Sequence, residues 1–520
     1  MSDVLAVETL AALVLVVIYL LTSVYLRKFS ERIFFLRLIH ESGLCILLGM
    51  LLSGMFIWTS SHTPSKFEAS LFFQFMLPFL VFGVGYNMKR RRFFRNIGPI
   101  VLNGVAGTFI NFTLLTTLFW VYGLGDLIPE NISLKDALAL GAVLSCPETV
   151  VSLSLVRETS NPRLNSIIFG ESLIGNAISI LLISAMQLAD FNDFTASSFF
   201  VFVGVILYSL IGSFILGVTL GFISALMTKN ITQIKLNPNK EVALQFYIAW
   251  TGYIIATMVG CSGVVTILIC AIITSHYAYY NMTKESRIVV ADTFQLFGDG
   301  SRALIFGYLG MTSLSYSPGD ISGILLFLVL LAIMTTRFLT IFGLAFLMKI
   351  FKKSYRFDCK NLIVIWVGGL FRGTIAFALI LSISLDQKDK IQVTVLYVII
   401  VSMILYTLVF PLILYWLGPK EEIISNQSIL EAVADGYYRN SYMKAGEANI
   451  LLIDEYKSKR NWIHAKWRDI DNLYLKPCLI DNVALEELQD NKRKLEEAAR
   501  PNSIKKPEIE IWSSNNSVID

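Results

Sequence analysis

The chain has 520 residues, 55% of them hydrophobic and 16% charged, with a mean hydropathy of +0.63. That balance is too apolar for a soluble domain of this length, and no nucleophile motif, phosphate loop or metal cluster supports an enzyme. The net charge of +4 sits in loops between apolar runs, so it implies nothing about nucleic acid, and the six cysteines show no disulfide or zinc spacing.

Apolar runs of about twenty residues suit a hydrocarbon core of about 30 Å. In chain order they fall near 5–27, 43–60, 69–87, 97–122, 134–156, 164–188, 198–227, 241–260, 262–280, 291–313, 322–349, 361–385 and 391–417, about thirteen in all. The first has no Lys or Arg before it, so it reads as a span and not as a signal peptide. The eighth and ninth nearly touch at Gly260 to Ser262, and Gly298-Asp299-Gly300-Ser301-Arg302 interrupts the tenth. The expected division is a membrane domain over 1–418 and a charged cytoplasmic tail over 419–520. Helix-friendly stretches such as 486–494 make that tail helical in expectation.

Loop charge sets the orientation. Alternate loops collect Arg27, Lys28 and Arg32, then Lys89 to Arg92, then Arg157 and Arg163, and on to Lys349 and Lys360; the opposite loops offer only Lys66, Lys135, Lys388 and Lys390. The positive-inside rule then places the tail in the cytoplasm and the N-terminus outside or in a lumen. The Lys89-Arg90-Arg91-Arg92 run reads as a topology signal and a contact for anionic membrane lipids.

The fifth run carries Ser145-Cys146-Pro147-Glu148-Thr149, and the sixth carries Gly170-Glu171-Ser172-Leu173-Ile174-Gly175-Asn176. A charge at bilayer depth costs several kcal/mol, so it belongs to an ion path or a buried pair. A proline inside a span also frees a carbonyl that needs a partner. The twelfth run holds Gly368, Gly369 and Gly373 around Arg372. Split as six, one and six spans, the two irregular runs occupy matching positions. That pattern predicts inverted repeats with two broken helices that cross at the midplane.

These residues resemble the eukaryotic sodium/proton exchangers of the cation/proton antiporter superfamily, and in particular their organellar-type branch. Leu77–Tyr86 is similar to the family's LPPIIFEAGY, Phe306–Gly310 to FSYMG, and Gly368–Leu379 to GGLRGAIAFAL. The resemblance implies an all-α membrane fold and exchange of Na⁺ or K⁺ for H⁺ by alternating access. It also implies a homodimer in the plasma membrane or an organelle membrane, and no cofactor. The departures fall at the chemistry. Pro147-Glu148-Thr149 stands where the family reads TDP, Gly175-Asn176 stands for an Asn-Asp pair, Gly83 replaces an acidic residue, and Arg302 replaces another. The arginine motif has either one extra residue or Leu370 in a glycine position. Glu171, Arg372 and Arg337 survive as the family's buried charge set.

Exchange needs a carboxylate that holds either H⁺ or a cation. Asn176 can ligate a cation through its carbonyl oxygen but cannot titrate. The titrating role therefore falls to Glu148 or disappears, with Ser145, Thr149 and Asn176 as the expected neutral ligands. The other reading of Glu148 is a structural ion pair with Arg302, which would also oppose a cation by like charge. Glu171 and Arg372 are expected to pair, with Arg337 in the same structural role. The alternatives to an antiporter are a transport-inactive exchanger-like subunit with a structural or regulatory role, and an uncoupled leak.

Overall fold

Hydrocarbon offers backbone groups no hydrogen bonds, so a spanning chain must satisfy them within its own segments. Among the described residues this chain does so with helices and no strand. The computed structural model describes residues 13–22, 24–25, 41–60, 72–124, 132–148, 152–153, 156, 161–188, 196–231, 237–316, 322–350, 358–383, 388–417, 467, 470–482 and 485–486. Thr149 and most of the 486–494 stretch lie outside these residues.

Among the described residues the longer helices of the first unit begin with α1 (Leu13–Thr22), α2 (Glu41–Ser60), α3 (Phe72–Tyr86) and α4 (Ile97–Gly123). Next come α5 (Leu134–Ser145), α6 (Pro162–Leu188), α7 (Ala196–Asn230), α8 (Pro238–Met258), α9 (Gly263–Asn281) and α10 (Lys284–Ser313). The last are α11 (Gly323–Ile350), α12 (Cys359–Gly368), α13 (Thr374–Ser382) and α14 (Lys388–Leu417). Six of them, α4, α6, α7, α9, α11 and α14, are long and apolar enough to cross a membrane. The chain divides into two compact units, Met1–Glu422 and Ile423–Asp520. In the second unit the described residues form a short helical stretch, with Lys476 Nζ 3.2 Å from Asp471 Oδ2.

The bundle is apolar on its surface as well as in its core, unlike a water-soluble protein. α7 exposes Phe200, Leu207, Ile211, Phe214 and Ile215, while Ser209, Ser213, Ser224 and Thr228 on the same helix are buried. That is the surface a lipid solvent favours, with polar groups turned inward to partners. Small residues bring the backbones close: Gly217 and Gly221 on α7 lie against Ile269 and Ile273 of α9. α10 packs along α2 and α3, and α4 packs along α5.

Two punctuation signals in the sequence have different outcomes. At Gly260 the chain turns between α8 and α9 with φ of 77°, a left-handed conformation that favours glycine. At Gly298–Arg302 the expected interruption is absent, and α10 runs as one helix of 30 residues. The reason is local. Asp299 and Arg302 lie one turn apart on the same face and form an ion pair with each other, so neither charge needs the backbone to open.

Candidate functional site

α5 ends where proline chemistry requires. Pro147 brings no N–H, and its ring disfavours helical geometry at the residue before it. Cys146 accordingly sits at φ −89° and ψ 134°, and residues 146–148 are not helical. α12 stops at Gly368, and residues 369–373 stay unwound until α13 begins at Thr374. The two interruptions meet: the Glu148 N–H donates to the Phe371 carbonyl oxygen at 3.0 Å. The second stretch is glycine-rich because side chains press against its backbone. A β-carbon at Gly369 would collide with the Arg337 guanidinium, and one at Gly373 would collide with the side chain of Glu148.

Glu148 is half-buried, and its Oε2 accepts a hydrogen bond from Thr374 Oγ1 at 3.4 Å. The carboxylate therefore lies at the start of α13, where the helix dipole favours negative charge. Asn176, also half-buried, reaches the break through a relay. Its Nδ2 donates to Ser172 Oγ at 3.3 Å, and Ser172 Oγ donates to the Pro147 carbonyl at 2.9 Å. The Asn176 Oδ1 takes no hydrogen bond from the described residues. Ser145 serves the helix end: its hydroxyl donates to Ala142 O at 2.9 Å, and its carbonyl accepts from Asn111 Nδ2 at 3.1 Å.

The charge pairing differs from expectation in two places. Glu171 forms its ion pair with Arg337, both side chains being about 3% exposed, and not with Arg372. Arg372, at 0% exposure, turns its Nη1 onto the carbonyls of Gly369 (2.8 Å) and Phe371 (2.9 Å). Unwinding freed those acceptors from the helical ladder, and the Arg372 guanidinium donates to both. Its backbone N–H donates to Ser402 Oγ at 3.3 Å. Arg302, the partner of Glu148 in the alternative reading of that residue, pairs with Asp299 instead. It belongs with α1 and α2, where Tyr19 donates to Glu41 Oε2 at 3.3 Å within electrostatic reach of Arg302 and Asp299. Gly83 is likewise built in: a β-carbon there would lie 2.8 Å from the Phe294 carbonyl oxygen, so no acidic side chain fits this packing.

Sequence reasoning missed Thr374, Ser172, Asn111 and Ser402. Thr374 had a signal, a hydroxyl directly after Arg372-Gly373 in an otherwise apolar run. The other three are single polar residues in apolar helices, a pattern that also describes many back-bonded hydroxyls of this chain. Among the described residues no group of three His, Cys, Asp or Glu side chains converges as a metal cluster. The crossing thus offers one half-buried carboxylate with neutral oxygens nearby, a donor set suited to a hard cation or a proton.

Comparison with known proteins adds the following. The family model described as "Sodium/hydrogen exchanger, transmembrane" matches residues 10–417. Sodium/hydrogen exchanger 3 of Arabidopsis thaliana is 32% identical over 363 residues, covering 66% of this chain and 70% of that protein. Sodium/hydrogen exchanger 2 of the same plant is 29% identical over 481 residues, covering 85% and 87%. The solved structure of the sodium proton antiporter MjNhaP1 from Methanocaldococcus jannaschii is similar with a TM-score of 0.58 at 15% identity. It covers 79% of this chain and 99% of that one, which establishes a common fold.

Proposed function

The chain belongs to the sodium/hydrogen exchanger family, and on that premise we propose that it exchanges Na⁺ or K⁺ for H⁺ with Glu148 as the titrating group. The observation that carries this reading is the position of Glu148. Its backbone is bound to the unwound stretch of the opposing broken helix, and its carboxylate lies beside Thr374 at the start of α13. A carboxylate there holds either a proton or a cation, and that mutual exclusion couples the two fluxes when the site alternates between faces. Asn176 contributes a neutral carbonyl oxygen, and Thr149, next in the chain to Glu148, is proposed as a neutral ligand on its sequence position alone. Ser145 acts by closing the end of α5. Glu171 and Arg337 hold the bundle around the site, and Arg372 neutralises the freed carbonyls of the second break.

In this reading the protein works as a homodimer in the plasma membrane or an organelle membrane, contributing to pH and cation homeostasis. Its tail faces the cytoplasm, its N-terminus faces outside or a lumen, and Lys89 to Arg92 contact anionic lipids. The test is the purified full chain in proteoliposomes with a trapped pH dye and an imposed Na⁺ or K⁺ gradient. The reading expects a cation-driven pH change that survives clamping of the membrane potential. Silence from folded protein would instead assign the chain to a transport-inactive structural or regulatory subunit.

A further inference from the structure

The oxygens at the crossing are unequally available to a cation. Backbone carbonyls at the end of α5 already carry donors: Ala142 O takes the hydroxyls of Ser145 and Ser179, Ser145 O takes Asn111 Nδ2, and Pro147 O takes Ser172 Oγ. On the opposing break, Gly369 O and Phe371 O take Arg372 Nη1, and Phe371 O also takes the N–H of Glu148. A monovalent cation at those two carbonyls would sit beside a fully buried guanidinium, and like charges at that range in low dielectric repel strongly. These five carbonyls are therefore already engaged by this chain's own donors, which lowers their availability to a cation.

Side-chain oxygen is the other source of ligands, and the structure pairs Glu148 with one such group, Thr374 Oγ1 at 3.4 Å. Thr374 is 2% exposed and is the first residue of α13, so its hydroxyl is held in place by a helix that starts there. Gly373, lacking a β-carbon, leaves the space that the Glu148 side chain occupies beside it.

We infer that Thr374 is a further ion-site residue of this chain, a hydroxyl ligand that completes the Glu148 site for Na⁺ or K⁺. The inference rests on Glu148 being the exchanging group. A hydroxyl has one donor and two acceptor positions, which fits every state of the cycle. With Glu148 ionised and the site empty, the Thr374 O–H donates to Oε2. With a cation bound, the O–H rotates away and a lone pair of Oγ1 joins the carboxylate in ligation. With Glu148 protonated, the acid O–H donates to Oγ1 in turn. No bond other than the O–H of Glu148 forms or breaks, and the proton exchanges with water on the open side.

The test is equilibrium binding of radiolabelled Na⁺, and of Rb⁺ as a probe for K⁺, to the purified full chain in detergent, so that turnover is not required. Wild type, Thr374→Val, Thr374→Ser and Glu148→Gln are compared, each first shown to be folded by its elution profile and melting curve. The expected result is about tenfold weaker cation binding in Thr374→Val, near wild-type binding in Thr374→Ser, and loss in Glu148→Gln. A purely structural role for Thr374 would lower the melting temperature of Thr374→Val and leave the cation affinity of its folded fraction unchanged. Wild-type affinity in Thr374→Val, or equal weakening in Thr374→Ser, overturns the inference while Glu148 keeps its role. Unchanged binding in Glu148→Gln, or no binding in the wild type, overturns both.

Discussion

Two arginines in this chain stand among glycines within apolar runs, and they have opposite consequences. Arg302 follows Gly298 and Gly300 yet sits inside a continuous helix, because Asp299 one turn away takes its charge. Arg372 lies between Gly369 and Gly373 in a stretch that is not helical, and its guanidinium binds the carbonyls which the unwinding exposed. Glycine and charge permit a break. A helix opens where the freed backbone groups find partners, and it stays closed where the charges satisfy each other along it.

That contrast can be broken at several points. The largest effect is expected from the buried pair that braces the site. Glu171→Gln should cost about 3–5 kcal/mol by stranding Arg337, and adding Arg337→Met should recover much of the loss. Thermal denaturation of the purified protein, with both single variants and the double variant, measures this. Arg372→Met should follow at about 3 kcal/mol, since two hydrogen bonds from a charged donor vanish and the Gly369 carbonyl loses its donor. Because Arg372 forms no ion pair with Glu171, Glu171→Gln should not be rescued by Arg372→Met as it is by Arg337→Met.

Gly373→Ala should cost about 1–3 kcal/mol by overpacking and should displace the Glu148 side chain, so exchange falls by more than stability does. Parallel melting curves and proteoliposome rates separate the two effects. Arg302→Ala should be the mildest, within about 0.5 kcal/mol, because its ion pair with Asp299 is partly exposed and local. A large loss of stability from Arg302→Ala would end the comparison between the two arginines.

Both breaks were legible in the sequence because their causes are local. Pro147 removes a helical N–H and restricts the residue before it, and Gly368, Gly369 and Gly373 cluster around Arg372 in a second apolar run. The all-helical membrane fold followed from the length and apolarity of the runs. The pairing of the buried charges was not legible. Glu171 meets Arg337 because of how α6 and α11 approach each other, and nothing local to either residue distinguishes Arg337 from Arg372 as a partner. The continuity of α10 was missed because glycines were weighed there without the one-turn spacing of Asp299 and Arg302. Thr374 escaped notice for a similar reason: a lone hydroxyl gains meaning only when Glu148 is seen across the crossing.

The central claim is that Glu148 is the group on which proton and cation exclude each other. Its most direct test is cation-driven proton movement in proteoliposomes for wild type and Glu148→Gln side by side, at matched protein incorporation and with both shown to be folded. Wild type is expected to exchange and Glu148→Gln is expected not to, with melting curves of both recorded alongside. Exchange that continues unchanged in Glu148→Gln would place the proton carrier elsewhere in the chain and contradict the account.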